Sequence, residues 1–117
     1  MKTILITGSS SGFGYLTALT LARNGYNVWA TMRDIHGKNK TKREDLENIA
    51  TRENIAITVA ELDVTRDKST QDLVQRILTE EQNGLDVLIN NAGVMYVGIT
   101  EAYSLEQAQK QFDTNFF

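Results

Sequence analysis

The stretch TGSSSGFG, residues 7–14, sets glycines at 8, 12 and 14 around three consecutive serines. The chemistry open to such a stretch is holding a phosphate. An anion needs close backbone approach and free N–H groups at the start of a helix, where the helix dipole favours negative charge. Gly8 suits the tight turn, Gly12 leaves no side chain in the way of a pyrophosphate, and Gly14 lets a helix lie close to a sheet. Ser10 and Ser11, with Ser9, add hydroxyl donors, and Phe13 stands between the last two glycines. A glycine loop alone also suits an ordinary strand-to-helix turn, so its reading depends on what surrounds it.

Other chemistries are excluded by composition. The chain has 117 residues, no cysteine and a single histidine, His36. Disulfides, thiolate metal sites, cysteine nucleophiles and histidine clusters are therefore ruled out, and no metal site is expected. A net charge of −3 argues against a nucleic-acid partner, which usually needs a basic face. The apolar run after Lys2 is only Ile4 to Ile6, far short of a signal h-region, and no stretch approaches the ~18 apolar residues of a membrane span. The expectation is a cytoplasmic protein without a membrane partner.

The elements that must position the glycine loop follow from the apolar rhythm. TILIT (3–7), NVWATM (27–32), IAITVAEL (55–62) and DVLIN (86–90) read as strands. Between them, Leu16, Leu19 and Ala22, then Leu46, Ile49 and Ala50, then Leu73, Val74, Ile77 and Leu78 recur at helical spacing. Gly25 and Asn83-Gly84 stand where helices end, and Ser104 with Gln107 forms a capping box before Leu105, Ala108, Phe112 and Phe116. A β-α-β-α-β-α-β-α chain predicts an α/β fold, a Rossmann-like doubly wound parallel sheet with four strands in the order 3-2-1-4. Ligands bind at the carboxyl ends of the strands beside the reversal, where TGSSSGFG and NNAG (90–93) converge.

The pattern Thr7-Gly8-x3-Gly12-x-Gly14 resembles the cofactor fingerprint of the short-chain dehydrogenase/reductase family. Asn90-Asn91-Ala92-Gly93 is similar to its NNAG motif, Asp63 in LDVT to its adenine-contacting aspartate, and Asn115 in FDTNFF to its helix asparagine. The four signals occur in family order and span essentially the whole chain. Taken singly, Asp63 also suits the start of a turn, and Asn90 and Asn91 a strand end. The resemblance implies cofactor binding by Gly8, Ser10, Ser11, Gly12, Phe13, Gly14, Asp63, Val64, Asn90, Ala92 and Gly93, and a catalytic proton-relay role for Asn115. It also implies a small-molecule carbonyl or alcohol substrate.

Cofactor choice turns on ATMRD (30–34). In the family, an acidic residue at the end of strand 2 accepts the adenosine ribose hydroxyls of NAD(H) and repels the 2′-phosphate of NADP(H). Met32 occupies that position and Arg33 follows, whose guanidinium can fork onto a phosphate. NADP(H) is therefore favoured over NAD(H), with Asp34 as a carboxylate still able to reach a ribose. Lys38, Lys40, Lys42 and Arg43 read as a solvated loop and helix start rather than a phosphate clamp.

The family's proton donor is a tyrosine with a lysine one helical turn on. Residues four beyond Tyr15, Tyr26, Tyr96 and Tyr103 are Leu19, Ala30, Thr100 and Gln107, so the pair is not in these 117 residues. The expectation is a truncated chain: the amino-terminal half of an oxidoreductase over 1–117, able to bind nucleotide but inactive alone. The rival expectations are a non-catalytic dinucleotide-binding or sensing module and an unrelated α/β interaction domain. An open outer edge on strand 4 and a helix carrying Phe112, Phe116 and Phe117 suggest a homo-oligomer.

Overall fold

The computed structural model describes residues 1–10, 12–63, 66–81, 83–89 and 91. Its elements run β1 (Thr3–Ile6), α1 (Gly12–Arg23), β2 (Asn27–Met32), α2 (Lys40–Glu53), β3 (Ile57–Glu61), α3 (Asp67–Glu80) and β4 (Val87–Ile89). The strands form one parallel sheet in the order β3-β2-β1-β4, as the alternation of strand and helix requires. Register is tight at its centre: Leu5 lies opposite Trp29 on one side and Leu88 on the other.

Burial on both faces explains the continuous apolar strands. Successive strand residues point to opposite faces, so Ile4, Ile6, Val28, Ala30 and Met32 meet α1 and α2 through Ala18, Leu19, Ala22, Leu46 and Ile49. Leu5, Trp29 and Ala60 point the other way, onto Leu73, Val74 and Ile77 of α3 and onto Leu85 and Leu88. Trp29 is anchored there, its indole N–H donating to Glu81 Oε1 at 3.0 Å and its ring lying 4.9 Å from the Arg76 guanidinium.

Two expectations need correction. Leu16 does not face the sheet but is 60% exposed, and the buried residues of α1 are Gly14, Ala18, Leu19 and Ala22. At ~100° per residue Leu16 stands about 200° around the helix from Ala18, and the small residues win the inner face because they let α1 approach closely. Strand β3 starts at Ile57, two residues later than its apolar run. Asn54 adopts the left-handed conformation (φ 53°), and the Ile55 amide donates back to Ala50 O, so these residues close α2 before the strand begins.

At the opposite end of the sheet from the glycine loop, β1 and β4 are pinned together. The Asp86 carboxylate accepts the Thr3 amide at 2.8 Å, and the Asp86 amide donates to Thr3 O at 2.9 Å. The predicted helix after NNAG, with Ser104, Gln107, Phe112, Phe116 and Phe117, lies outside the described residues.

Candidate functional site

The glycine loop leaves β1 at its carboxyl end and turns directly into α1. Gly12 carries φ +62°, which an L side chain rarely adopts, and a Cβ there would meet nothing within 4 Å, so its outer side is open. Gly14 is constrained differently. A Cβ on it would fall 2.0 Å from Gly8 O and 2.9 Å from Asn91 Nδ2. Only glycine lets the first turn of α1 rest on the backbone of Gly8.

Asn91 joins the two convergent loops. Its side-chain amide donates to Gly8 O at 3.1 Å, and its backbone amide donates to Thr7 Oγ1 at 3.0 Å. Thr7 in turn donates its amide to Ile89 O at 3.1 Å. Ser9 is fully buried, with its hydroxyl donating to Ile6 O at 3.2 Å and its amide to Thr31 O at 2.9 Å. Its hydroxyl therefore serves the sheet and is not a phosphate donor. Ser10 is half-buried, whereas Phe13 is 82% exposed beside the open side of the loop.

Across the carboxyl ends of β2 and β3 lies an open cavity of about 400 Å³ lined by the basic Arg33, Lys38 and Arg66 and the acidic Asp34, Glu61 and Asp63, among others. Asp63 does begin a turn, its carbonyl accepting the Arg66 amide at 3.0 Å while its own amide donates to Ser69 Oγ at 3.1 Å. It lines the cavity as well. Arg23, Arg43 and Arg76 are paired with Glu53, Glu47 and Glu80, whereas Arg33, Lys38 and Arg66 have no ion-pair partner among the described residues.

Asp34 lines this cavity as well, with one carboxylate oxygen engaged by the backbone. It sits in the left-handed region (φ 49°), and its Oδ2 accepts the Lys38 amide at 2.8 Å. The basic run divides in two. Arg43 is engaged by Glu47 and by Ile35 O, and Lys40 lies 3.9 Å from Glu44, as a helix start would have them. Lys38 instead joins Arg33 at the cavity.

A second tyrosine–lysine arrangement can be set aside on chemical grounds. Lys42 lies 5.8 Å from the ring centroid of Tyr15, but the Tyr15 hydroxyl donates to Asp45 Oδ2. That hydrogen bond, with partial burial and the Asp45 charge, raises the phenol above its ordinary value. A proton donor needs the opposite shift.

The structure thus brings Gly8, Gly12, Gly14 and Asn91 together at one point, and Arg33 and Asp63 at the adjoining cavity. Ser11, Val64, Asn90, Ala92, Gly93 and Asn115 lie outside the described residues. Asn91 was visible within NNAG, but its bonds to the glycine loop depend on tertiary contact. Thr31, which donates its hydroxyl to Ile6 O at 2.8 Å, carried no sequence signal. Among the described residues no group of His, Cys, Asp or Glu is placed to hold a metal, and no helix is long and apolar enough to cross a membrane.

A parallel sheet reversing between β1 and β4, with a glycine turn at the reversal, defines a Rossmann-like α/β protein. The model of the short chain dehydrogenase family matches residues 2–117, and the chain belongs to that family. It is 44% identical to human "Retinol dehydrogenase 8" over 99% of its own length and 36% of that protein. It is 39% identical to the "3-ketodihydrosphingosine reductase" of Bacteroides thetaiotaomicron, covering 97% of this chain and 36% of the relative. The chain therefore spans a little over a third of the length of these relatives. Among solved structures, a short-chain dehydrogenase/reductase from Burkholderia xenovorans superposes with a TM-score of 0.70 at 28% identity, over 80% of this chain and 37% of that one. A metagenomic short-chain oxidoreductase in complex with NADP gives 0.68 at 26% identity, over 80% and 39%.

Proposed function

We propose that the protein is an NADP(H)-dependent oxidoreductase that interconverts a carbonyl and an alcohol, with residues 1–117 forming its dinucleotide-binding part. The observation that carries the cofactor preference is Arg33 at the cavity without an ion-pair partner among the described residues, while the neighbouring Asp34 carboxylate is turned onto the Lys38 amide. A guanidinium there suits a 2′-phosphate, whereas one oxygen of the Asp34 carboxylate is already taken by the Lys38 amide.

The bound dinucleotide would supply or accept the hydride. The chain's own part is to hold it: the glycine loop receives the pyrophosphate at the start of α1, Asp63 takes the adenine, and Val64, Asn90, Ala92 and Gly93 are assigned to the cofactor by their place in the family's motifs. Asn115 is assigned to the proton relay. The Tyr-x-x-x-Lys pair is absent from these 117 residues, so this segment by itself is expected to bind dinucleotide without turnover. The names of two relatives direct the first assays to long apolar alcohols and ketones. A cytoplasmic homo-oligomer belongs to the same reading.

The decisive experiment titrates the full chain and Arg33→Leu with NADPH and NADH. Tighter binding of NADPH, with a loss of about tenfold in Arg33→Leu and little change for NADH, is the expected result. Equal loss for both cofactors would refute the assignment of Arg33 to the 2′-phosphate.

A further inference from the structure

The β1–β2 ladder ends where Ile6 lies opposite Ala30, just before the glycine turn begins. Past that point two side-chain hydroxyls take over the seam. The Thr31 hydroxyl donates to Ile6 O at 2.8 Å, and the Ser9 hydroxyl donates to the same carbonyl at 3.2 Å. The Ser9 amide returns the tie, donating to Thr31 O at 2.9 Å. Ser9 and Thr31 are both fully buried, so water does not compete for these bonds. The glycine turn is thereby held from both flanks, by Asn91 after β4 and by Thr31 of β2. Thr31 stands two residues before Arg33, which lines the cavity.

We infer that Thr31 is a positioning residue for the dinucleotide: its hydroxyl fixes the end of β2 against the phosphate turn and so sets the span between the pyrophosphate and the 2′-phosphate. This rests on the assignment of the glycine turn and Arg33 to NADP(H). A ligand held at two points binds fully only when the spacing between them is the one it needs. Its affinity falls with the fraction of molecules that have that spacing. A ligand held at one point does not sense the span. Packing alone does not call for a hydroxyl at this position, since valine has the same branched outline and lacks only the donor.

The test measures dissociation constants on the full chain for NADPH, which spans both points, and for adenosine 2′-monophosphate, which reaches only the Arg33 cavity. Thr31→Val is expected to weaken NADPH by about three- to tenfold, the worth of one hydrogen bond, and to leave the mononucleotide unchanged. Thr31→Ser keeps the donor and should bind NADPH as the wild type does. Ser9→Ala removes the other hydroxyl from the Ile6 carbonyl; it should show the same pattern, and it decides the matter should Thr31→Val fail to fold. NADPH affinity unmoved, both ligands weakened by one factor, or Thr31→Ser as weak as Thr31→Val overturns the positioning role and leaves the NADP(H) reading intact. A wild type that binds neither ligand, or binds NADH more tightly than NADPH, overturns that reading and the inference with it.

Discussion

Asn91 and Gly8 stand 83 residues apart in sequence, yet the Asn91 side chain donates to the Gly8 carbonyl at 3.1 Å. This bond ties the loop after β4 to the phosphate turn after β1, and the Gly14 position is packed against both partners. The two loops are therefore one construction.

Asn91→Ala removes the side-chain bond but leaves the backbone donation to Thr7. The site is exposed, so the stability loss should be about 0.5–1.5 kcal/mol by urea denaturation. The effect on NADPH and NADH affinity should be larger than the stability loss alone would suggest and equal for the two, because the loop it steadies is the one proposed to hold the pyrophosphate they share. Unequal loss would place Asn91 near the 2′-phosphate instead.

Gly14→Ala is expected to be far more damaging. Its methyl would stand 2.0 Å from the Gly8 carbonyl oxygen, a backbone atom that cannot rotate away. A cost of about 3 kcal/mol is expected, together with loss of dinucleotide binding. A variant that folds with native stability and binds normally would show that α1 does not rest on Gly8.

Asp86→Ala tests the far end of the sheet. Asp86 is buried and its carboxylate is the acceptor for the buried Thr3 amide. Truncation strands that donor, with an expected cost of about 1–3 kcal/mol in unfolding free energy. Asp86→Asn, which keeps an acceptor oxygen, should recover most of the loss.

Two pairs link α1 to α2, and each predicts a different limb of the pH–stability profile. Tyr15 is raised above 10.0, chiefly by its hydrogen bond to Asp45. The folded state thus holds this proton more tightly than the unfolded state does. Its contribution is complete below about pH 10 and fades as pH rises through the folded value. Glu53 is lowered below 4.5, chiefly by the Arg23 guanidinium, whose two donations are each 2.8 Å. Its contribution is present above that ordinary value and fades as pH falls through the folded one. Denaturation midpoints across pH should lose the alkaline dependence in Tyr15→Phe and weaken the acid dependence in Arg23→Gln.

The strands and their order were legible because both faces of this sheet are buried, so Ile4-Leu5-Ile6 and Val28-Trp29-Ala30 read as unbroken apolar runs. What periodicity could not settle was competition between similar residues. Leu16 lost the inner face of α1 to Gly14 and Ala18, since closeness to the sheet outweighed side-chain size. The start of β3 was hidden because Ile55 and Ala56 look like strand, while the left-handed Asn54 assigns Ile55 to the helix end. At the site, the glycines were readable from spacing because each answers to a local backbone need. Ser9, Thr31 and Asp34 were not. Their roles depend on which partner reaches them in space, and no spacing rule records that Ser9 turns to Ile6 or that Asp34 accepts the Lys38 amide.

The pairing of β1 with β4 has a consequence for the order of assembly. β1, β2 and β3 join through α1 and α2 with modest loop closures, all within the first 61 residues. Bringing Thr3 to Asp86 and Gly8 to Asn91 closes loops of more than 80 residues, the entropically slower step. On a ribosome, the three-stranded unit can collapse while the rest of the chain is still being made. The proposed binding site is then incomplete until β4 docks. A dinucleotide that waits for that event would act as a latch on the docking of β4, slowing unfolding by holding the β1–β4 seam closed.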